Sequence, residues 1–145
     1  MTRDELLGEI AIALQQHFTE GAHYYDKTDD RVVFLLDEEL DEELGPEDFP
    51  YWEKEGFEIA RTHDLIPIEP VESWKGYSIM EDFASQCGNE KIQSQLFQAL
   101  NRKHPFSKFR YAVEVNGVLD DWYAFKDAAY RKLAEEWLED NHLPF

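Results

Sequence analysis

The sequence predicts an α+β fold: an N-terminal helix and a β-hairpin, or a three-stranded sheet, packed on a C-terminal group of about four helices. Two observations support it. The 145 residues are 43% apolar and 14% aromatic, which is typical of a folded domain and not of a disordered chain. Apolar residues recur at helical spacing near the start and throughout 73–145, whereas β-branched and aromatic runs lie between. At this length we expect a single domain, 1–145, with an acidic helix and ribbon half at 1–72.

The first two elements carry local signals. Thr2 followed by Glu5 forms the pattern of a capping box, and apolar residues on one face then predict a helix over about 3–18. Two β-prone runs, 22–26 and 31–36, flank the turn-forming sequence Lys-Thr-Asp-Asp and predict a hairpin. The second run is apolar on both faces, so we expect both of its sides to be covered.

The segment that follows the hairpin is less regular. Residues 37–48 are acidic and contain Gly-Pro, which indicates a short helix or turn. The sequence is compatible with either a helix over 51–62 or a third strand at 57–61, because Gly56 weakens the helical pattern. Residues 65–70 must be extended, since each of their two prolines restricts the residue before it.

The second half of the chain has the periodicity of helices. Four are predicted: about 73–87 with Gly88 after its end, 89–101 capped by Asn89, 106–115 ended by Asn116 and Gly117, and one capped by Asp120 or Asp121 and stopped by Asn141 and Pro144. Six aromatic residues are expected to build their core: Phe83, Phe106, Phe109, Trp122, Phe125 and Trp137. The sequence leaves open whether Trp52 and Trp74 are buried or exposed.

Negative charge is concentrated in the first half. The chain has a net charge of −18, and residues 26–48 alone hold 11 acidic residues against two basic ones. This charge excludes nucleic-acid binding by bulk attraction. The acidic run is either a solubilising face or a docking surface for a basic protein. The candidate partner-binding residues are Asp37, Glu38, Glu39, Asp41, Glu42 and Glu43.

One segment has the opposite sign. Residues 101–111 hold four basic residues, three aromatic residues and no acid. They predict either a small anion site, or a structural helix whose aromatics are core anchors and whose basic residues pair with the surplus of acids. The candidate anion-binding residues are Arg102, Lys103, Lys108 and Arg110.

Catalytic and metal-binding motifs are weak. The lone Cys87 excludes an intramolecular disulfide and a cysteine-rich zinc site, and no serine lies in a nucleophile motif. Glu139-x-x-His142, with Glu135 one turn earlier, and His63-Asp64 are the best metal candidates, and neither has the spacing of a known site. We therefore expect no catalytic residue, metal or other cofactor. The acidic start and short apolar runs predict neither a signal peptide nor a membrane span, and so a cytoplasmic protein.

Several motifs in the second half resemble those of an uncharacterised bacterial family, family 0158. They are Ile-Met-Glu-Asp-Phe at 79–83, Leu-Phe-Gln-Ala-Leu at 96–100, Pro-Phe-Ser-Lys-Phe at 105–109, Trp-Tyr-Ala-Phe-Lys at 122–126 and Glu-Trp-Leu at 136–138. The chain departs from the pattern where Lys103-His104-Pro105 replaces the usual Gly-Ala and where Arg110 replaces an acid. The resemblance implies an α+β fold and no established activity.

These observations predict a non-catalytic interaction protein that binds a basic partner through its acidic surface. The alternative is a protein that interacts with nucleotides or nucleic acid through the basic and aromatic residues of 102–111. The sequence does not indicate an oligomeric state.

Overall fold

A computed structural model describes residues 2–143 and has an α+β architecture. The chain divides into two compact units, one formed by residues 2–70 with 134–143 and the other by residues 71–133. The boundary near residue 70 lies close to the charge boundary seen in the sequence. No helix within residues 2–143 is long and apolar enough to span a membrane.

The first unit begins with helix α1, Arg3–Gln15, whose apolar face is fully buried. The Thr2 hydroxyl accepts a hydrogen bond from the backbone N–H of Glu5 at 3.1 Å, which confirms the predicted N-cap. The helix ends three residues earlier than predicted because Gln16 adopts an extended backbone that leads towards the sheet.

The sheet has three antiparallel strands in the order β2-β1-β3. Strands β1, Gly21–Asp26, and β2, Arg31–Leu36, form the predicted hairpin, with Gly21 opposite Leu36 and Asp26 opposite Arg31. The third strand is β3, Leu65–Ile68, which pairs with the other side of β1. A third strand at 57–61 is therefore the wrong alternative. Pro67 is compatible with β3 because this strand is at the edge of the sheet, where a missing N–H is tolerated.

Residues 37–62 contain four short helical segments. Three 3-10 turns, Asp37–Leu40, Pro46–Asp48 and Tyr51–Glu53, precede helix α2, Lys54–Thr62. Helix α2 buries Ile59 and resolves the alternative that the sequence left open.

The second unit contains helices α3, Ser73–Ser85, α4, Glu90–Leu100, and α5, Pro105–Val115, and the first part of α6, Leu119–Asp140. The Asn89 side chain accepts from the backbone N–H groups of Lys91 and Ile92, which confirms the predicted cap of α4. Gly117, after α5, has a φ of +69° and supplies the left-handed turn that the sequence predicts.

Two predicted helix ends are wrong. Gly88 does not have a positive φ, and helix α3 already ends at Ser85 with Gln86 as its C-cap, so the glycine is not a left-handed terminator. Asp120 and Asp121 lie inside the first turn of α6, so neither is the cap. Their negative charges there interact favourably with the positive end of the helix dipole. The predicted stop at Pro144 lies outside the described residues.

The aromatic core of the second unit is smaller than predicted. Phe109 and Trp122 are buried, and with the half-buried Phe83 and Phe125 they form a cluster with ring centroids 5.0–6.3 Å apart. Phe106 is 49% exposed and therefore not a core residue, although the edge of its ring lies close to Gly76. The sixth predicted member, Trp137, belongs to the first unit, where its ring packs edge-on against Tyr25.

Candidate functional site

The acidic loop, residues 37–48, is folded around one guanidinium group. Arg61, in the last turn of α2, donates hydrogen bonds to the backbone carbonyl oxygens of Glu39 at 2.5 Å, of Asp41, and of Leu44 at 3.4 Å. Bonds from a charged donor are stronger than those from a neutral one. The Arg61 contacts therefore hold the loop by its main chain and use none of its carboxylates.

The predicted acidic residues of this loop are exposed, with one exception. Asp37, Glu38, Asp41, Glu42 and Glu43 are all exposed. Within residues 2–143 none of these five carboxylates forms an ion pair with a basic side chain. Each of the five therefore lacks a salt bridge of its own, and the positive charge of Arg61 lies among the loop carbonyl groups.

Glu39 is the exception, and its place among the partner-facing residues is wrong. Its side chain is only 5% exposed, and its Oε1 atom accepts a hydrogen bond of 2.8 Å from the backbone N–H of Leu36. The carboxylate lies so close to Gly56 on α2 that a Cβ atom there would overlap it. Glu39 thus fixes the start of the loop against the helix.

Two large aromatic residues follow the acidic loop and face solvent. Tyr51 is 83% exposed and Trp52 is 79% exposed. The adjoining chain is anchored by the buried Phe49, whose ring centroid lies 5.1 Å from that of Phe57. Exposed tryptophan and tyrosine on an anchored segment are typical of residues that contact a partner. Trp74, in the other unit, is 65% exposed, and its indole N–H donates to Glu72.

Glu53 adds a further carboxylate beside the acidic loop. Burial raises the pKa of Glu53, and the negative charges of Glu38 and Glu39 raise it further. Its Oε2 atom is buried and has no hydrogen-bond partner. Acidic side chains are thus crowded here, and a cation placed nearby would relieve their mutual repulsion.

A second polar cluster lies at the hairpin turn and centres on Asp26, which is completely buried. Its Oδ1 atom accepts from the backbone N–H groups of Thr28 at 3.0 Å and Asp29 at 3.4 Å, which is the turn chemistry that the sequence predicts. Its Oδ2 atom lies 2.7 Å from His63 Nδ1 and 3.6 Å from Arg31 Nε. The cluster fastens the turn to the residue after α2.

The ionisation of Asp26 reflects two opposing effects. Burial raises the pKa of Asp26, but the hydrogen bonds from His63 and from the two turn amides lower it by more, so the pKa is lowered overall. The ionised carboxylate is therefore the form that the fold stabilises.

Asp26, Asp29 and His63 place one possible metal-ligand atom each within 4.8 Å of one another. The positively charged Arg31 already lies among them, with Nη2 3.5 Å from Asp29 Oδ2. These groups therefore form an ion-pair network in which Arg31 occupies the place of a cation. The predicted metal-ligand pair His63-Asp64 does not form, because the Asp64 carboxylate pairs with Lys27 at 3.7 Å. Around Glu139 and His142 the described residues bring together no such set of ligand atoms.

The four predicted anion-binding residues are exposed but do not form a single site. Arg102 and Lys108 line one groove between α4 and α5, whereas Lys103 and Arg110 do not line it. The guanidinium of Arg110 instead lies 5.8 Å from the ring centroid of Tyr123. The alternative prediction is a structural helix whose basic residues pair with the surplus acids. Within residues 2–143 none of the four basic side chains forms such an ion pair.

Comparison with known proteins identifies the family. A family model described as "Uncharacterised protein family (UPF0158)" matches residues 1–145. The chain belongs to UPF0158. A UPF0158 relative from Pseudomonas aeruginosa, named "UPF0158 protein PA5073", is 28% identical over 139 residues, which cover 94% of this chain and 82% of the relative. No solved structure matches the chain.

Membership of UPF0158 confirms the resemblance inferred from the helical motifs. Three aromatic residues of those motifs, Phe83, Phe109 and Trp122, are in mutual contact in the core of the second unit. The place of these three aromatic residues in the motif pattern is explained by core packing. The acidic loop and the Arg61 contacts lie outside the motifs that carry the resemblance.

Proposed function

We propose that this UPF0158 chain binds a basic protein through the acidic loop and the neighbouring residues Tyr51 and Trp52. The observation that carries the proposal is the group of five exposed loop carboxylates with no basic partner within residues 2–143. A partner rich in lysine or arginine would supply the missing positive charge. Such complementarity raises the rate of association and selects against acidic partners.

The Arg61 contacts favour binding over simple solubilisation. A loop whose carbonyl groups are gathered around one guanidinium loses little conformational freedom when a partner docks. Preorganisation of this kind improves affinity because less ordering entropy is lost on association. A charge run that served only to prevent aggregation would not need a fixed main chain.

The exposed aromatic pair supplies the contact area that charge alone does not. Arginine and lysine side chains stack on the faces of tryptophan and tyrosine, with a contribution of about 0.5–2 kcal/mol per pair. The chain already shows this chemistry on itself, since Lys54 Nζ lies 5.9 Å from the centroid of the Tyr51 ring. Tyr51 and Trp52 are therefore suited to receive the stems and cationic groups of a basic segment.

The proposal is tested with an arginine-rich peptide as the probe, titrated by calorimetry at low and at high salt. One variant neutralises the loop: Asp37→Asn, Glu38→Gln, Asp41→Asn and Glu42→Gln. A matched control makes the same change in net charge on exposed acids of the second unit: Glu81→Gln, Asp82→Asn, Glu90→Gln and Glu114→Gln.

We expect the loop variant to lose about tenfold or more in affinity, equivalent to about 1.4 kcal/mol. The control should stay within about threefold of the original protein, because its four carboxylates are not part of the loop and contribute only to the net charge. An equal loss in both variants would show that the peptide responds only to net charge and would refute a specific loop site. Absence of binding at low salt would refute the proposal outright.

A further inference from the structure

The groove between α4 and α5 has a composition unlike the rest of the chain. It has a volume of about 250 Å³ and is lined by nine residues, none of which is acidic. Acidic residues make up 32 of the 145 in the whole sequence. Two of the lining residues, Arg102 and Lys108, are basic, and neither forms an ion pair with a carboxylate within residues 2–143. In so acidic a protein, this groove is a local exception.

The chemical groups change along the groove. Arg102 and Lys108 flank the turn that joins the two helices, so positive charge is concentrated at that end. Ala99, next to the last residue of α4, also lies near the turn, whereas Tyr111, which is 67% exposed, and Ala112 lie in the middle of α5.

Amide side chains line the part of the groove farther from the turn. Gln95 and Asn116 contribute there, whereas Gln98 lies beside Ala99, nearer the turn. Asn116 uses its Nδ2 atom to donate to the backbone oxygen of Ala112 at 2.8 Å, and this bond does not use its Oδ1 acceptor.

We propose that this groove binds a nucleoside monophosphate. The two cations match the charge of a phosphate monoester, which is about −1.5 to −2 at pH 7. Arginine offers a planar fork of donors to phosphate oxygens, and lysine offers a compact positive charge. The face of Tyr111 stacks with the base, and the amide groups beyond it pair with polar atoms on the base edge.

Size and charge favour a mononucleotide over a nucleic-acid chain. The groove, at about 250 Å³, is slightly smaller than typical small-molecule sites of about 300–1,000 Å³, so it has room for one small ligand. A polyanion would also extend beyond the groove into the field of a chain with a net charge of −18. A free phosphate ion, by contrast, would leave Tyr111 and the amide side chains unused.

The test measures binding of AMP by calorimetry, with adenosine and inorganic phosphate as partial ligands. Arg102→Ala combined with Lys108→Ala removes both groove cations. The matched control combines Lys103→Ala with Arg110→Ala, which removes the same charge from the same segment but outside the groove lining. Tyr111→Ala and Tyr111→Phe separate ring stacking from the hydroxyl group. Far-ultraviolet circular dichroism checks that each variant is folded, which the exposure of all five positions favours.

We expect AMP to bind at least about tenfold more tightly than adenosine or phosphate, because each makes only part of the contacts. The groove variant should lose about tenfold or more, the control less than about threefold, and Tyr111→Phe should retain the binding that Tyr111→Ala loses. Equal loss in the groove and control variants overturns the site, and so does phosphate binding as tightly as AMP. Failure of AMP to saturate at millimolar concentration, or binding of oligoadenylate without binding of AMP, overturns the mononucleotide proposal.

Discussion

Replacing Arg61 with lysine tests whether the acidic loop has the fixed main chain on which the proposed interaction depends. Lysine keeps the positive charge but loses the planar fork that reaches the carbonyl oxygens of Glu39, Asp41 and Leu44 together. A hydrogen bond from a charged group contributes about 1.5–3 kcal/mol, and the partial exposure of Arg61 reduces this. The guanidinium also lies 4.6 Å from the Phe57 ring centroid, a contact of about 0.5–1 kcal/mol at an exposed site. We therefore expect a loss of about 2–3 kcal/mol in Arg61→Ala and of at least half as much in Arg61→Lys.

The loss should appear first as local opening of the loop, so native-state hydrogen exchange is the assay. A loss of 2–3 kcal/mol corresponds to exchange about 30- to 150-fold faster for amides such as those of Leu36 and Leu44, at one factor of ten per 1.4 kcal/mol. Amides in helix α4 should exchange at their original rates, which makes them the internal control. Unchanged exchange at Leu36 and Leu44 in both variants would refute the conclusion that Arg61 organises the loop.

Three further predictions concern stability and are measured by urea denaturation. Gly56→Ala should leave the free energy of unfolding nearly unchanged, because a gain of about 1 kcal/mol in helix propensity offsets the cost of displacing the Glu39 carboxylate. In a Glu39→Ala background the same substitution should stabilise the protein by about 1 kcal/mol. Equal effects in the two backgrounds would contradict the contact between Gly56 and Glu39. The pKa of Asp26 is lowered in the folded protein, so its contribution to stability is complete above its ordinary pKa of 3.8 and is lost as the pH falls through the lower folded value. Asp26→Asn should therefore lower the free energy of unfolding at pH 7 and make its decline below pH 3.8 less steep. Parallel curves of stability against pH for the two proteins would contradict this. Gly117→Ala should cost about 1–2 kcal/mol, because its φ is +69°, whereas Gly88→Ala should change stability by less than about 0.5 kcal/mol; a costly change at Gly88 would contradict the helix end described above.

The elements that the sequence predicts correctly have local causes. The caps at Thr2 and Asn89 depend on a side chain and an N–H two or three residues away, so their pattern is visible in the sequence. The third strand is not visible in this way. Residues 65–68 form a strand because they pair with β1, and this short segment with a proline has no periodicity of its own.

The candidate sites show the same limit. Composition identifies the acidic loop, but it does not distinguish Glu39, which turns inward to the Leu36 amide, from its exposed neighbours. Nor does it indicate that Arg61, distant in sequence, holds the loop. The basic segment is also visible in the sequence, whereas the selection of Arg102 and Lys108 for one groove depends on how α4 and α5 pack.

A hydrogen-exchange footprint of the protein bound to the arginine-rich peptide locates the binding surface itself. If the acidic loop and the aromatic pair after it form the binding surface, protection should increase in residues 37–54 and vanish at high salt, while exchange in α4 and α5 stays unchanged. Protection confined to other residues, or none at saturating peptide, would show that the acidic loop and the aromatic pair are not the binding surface.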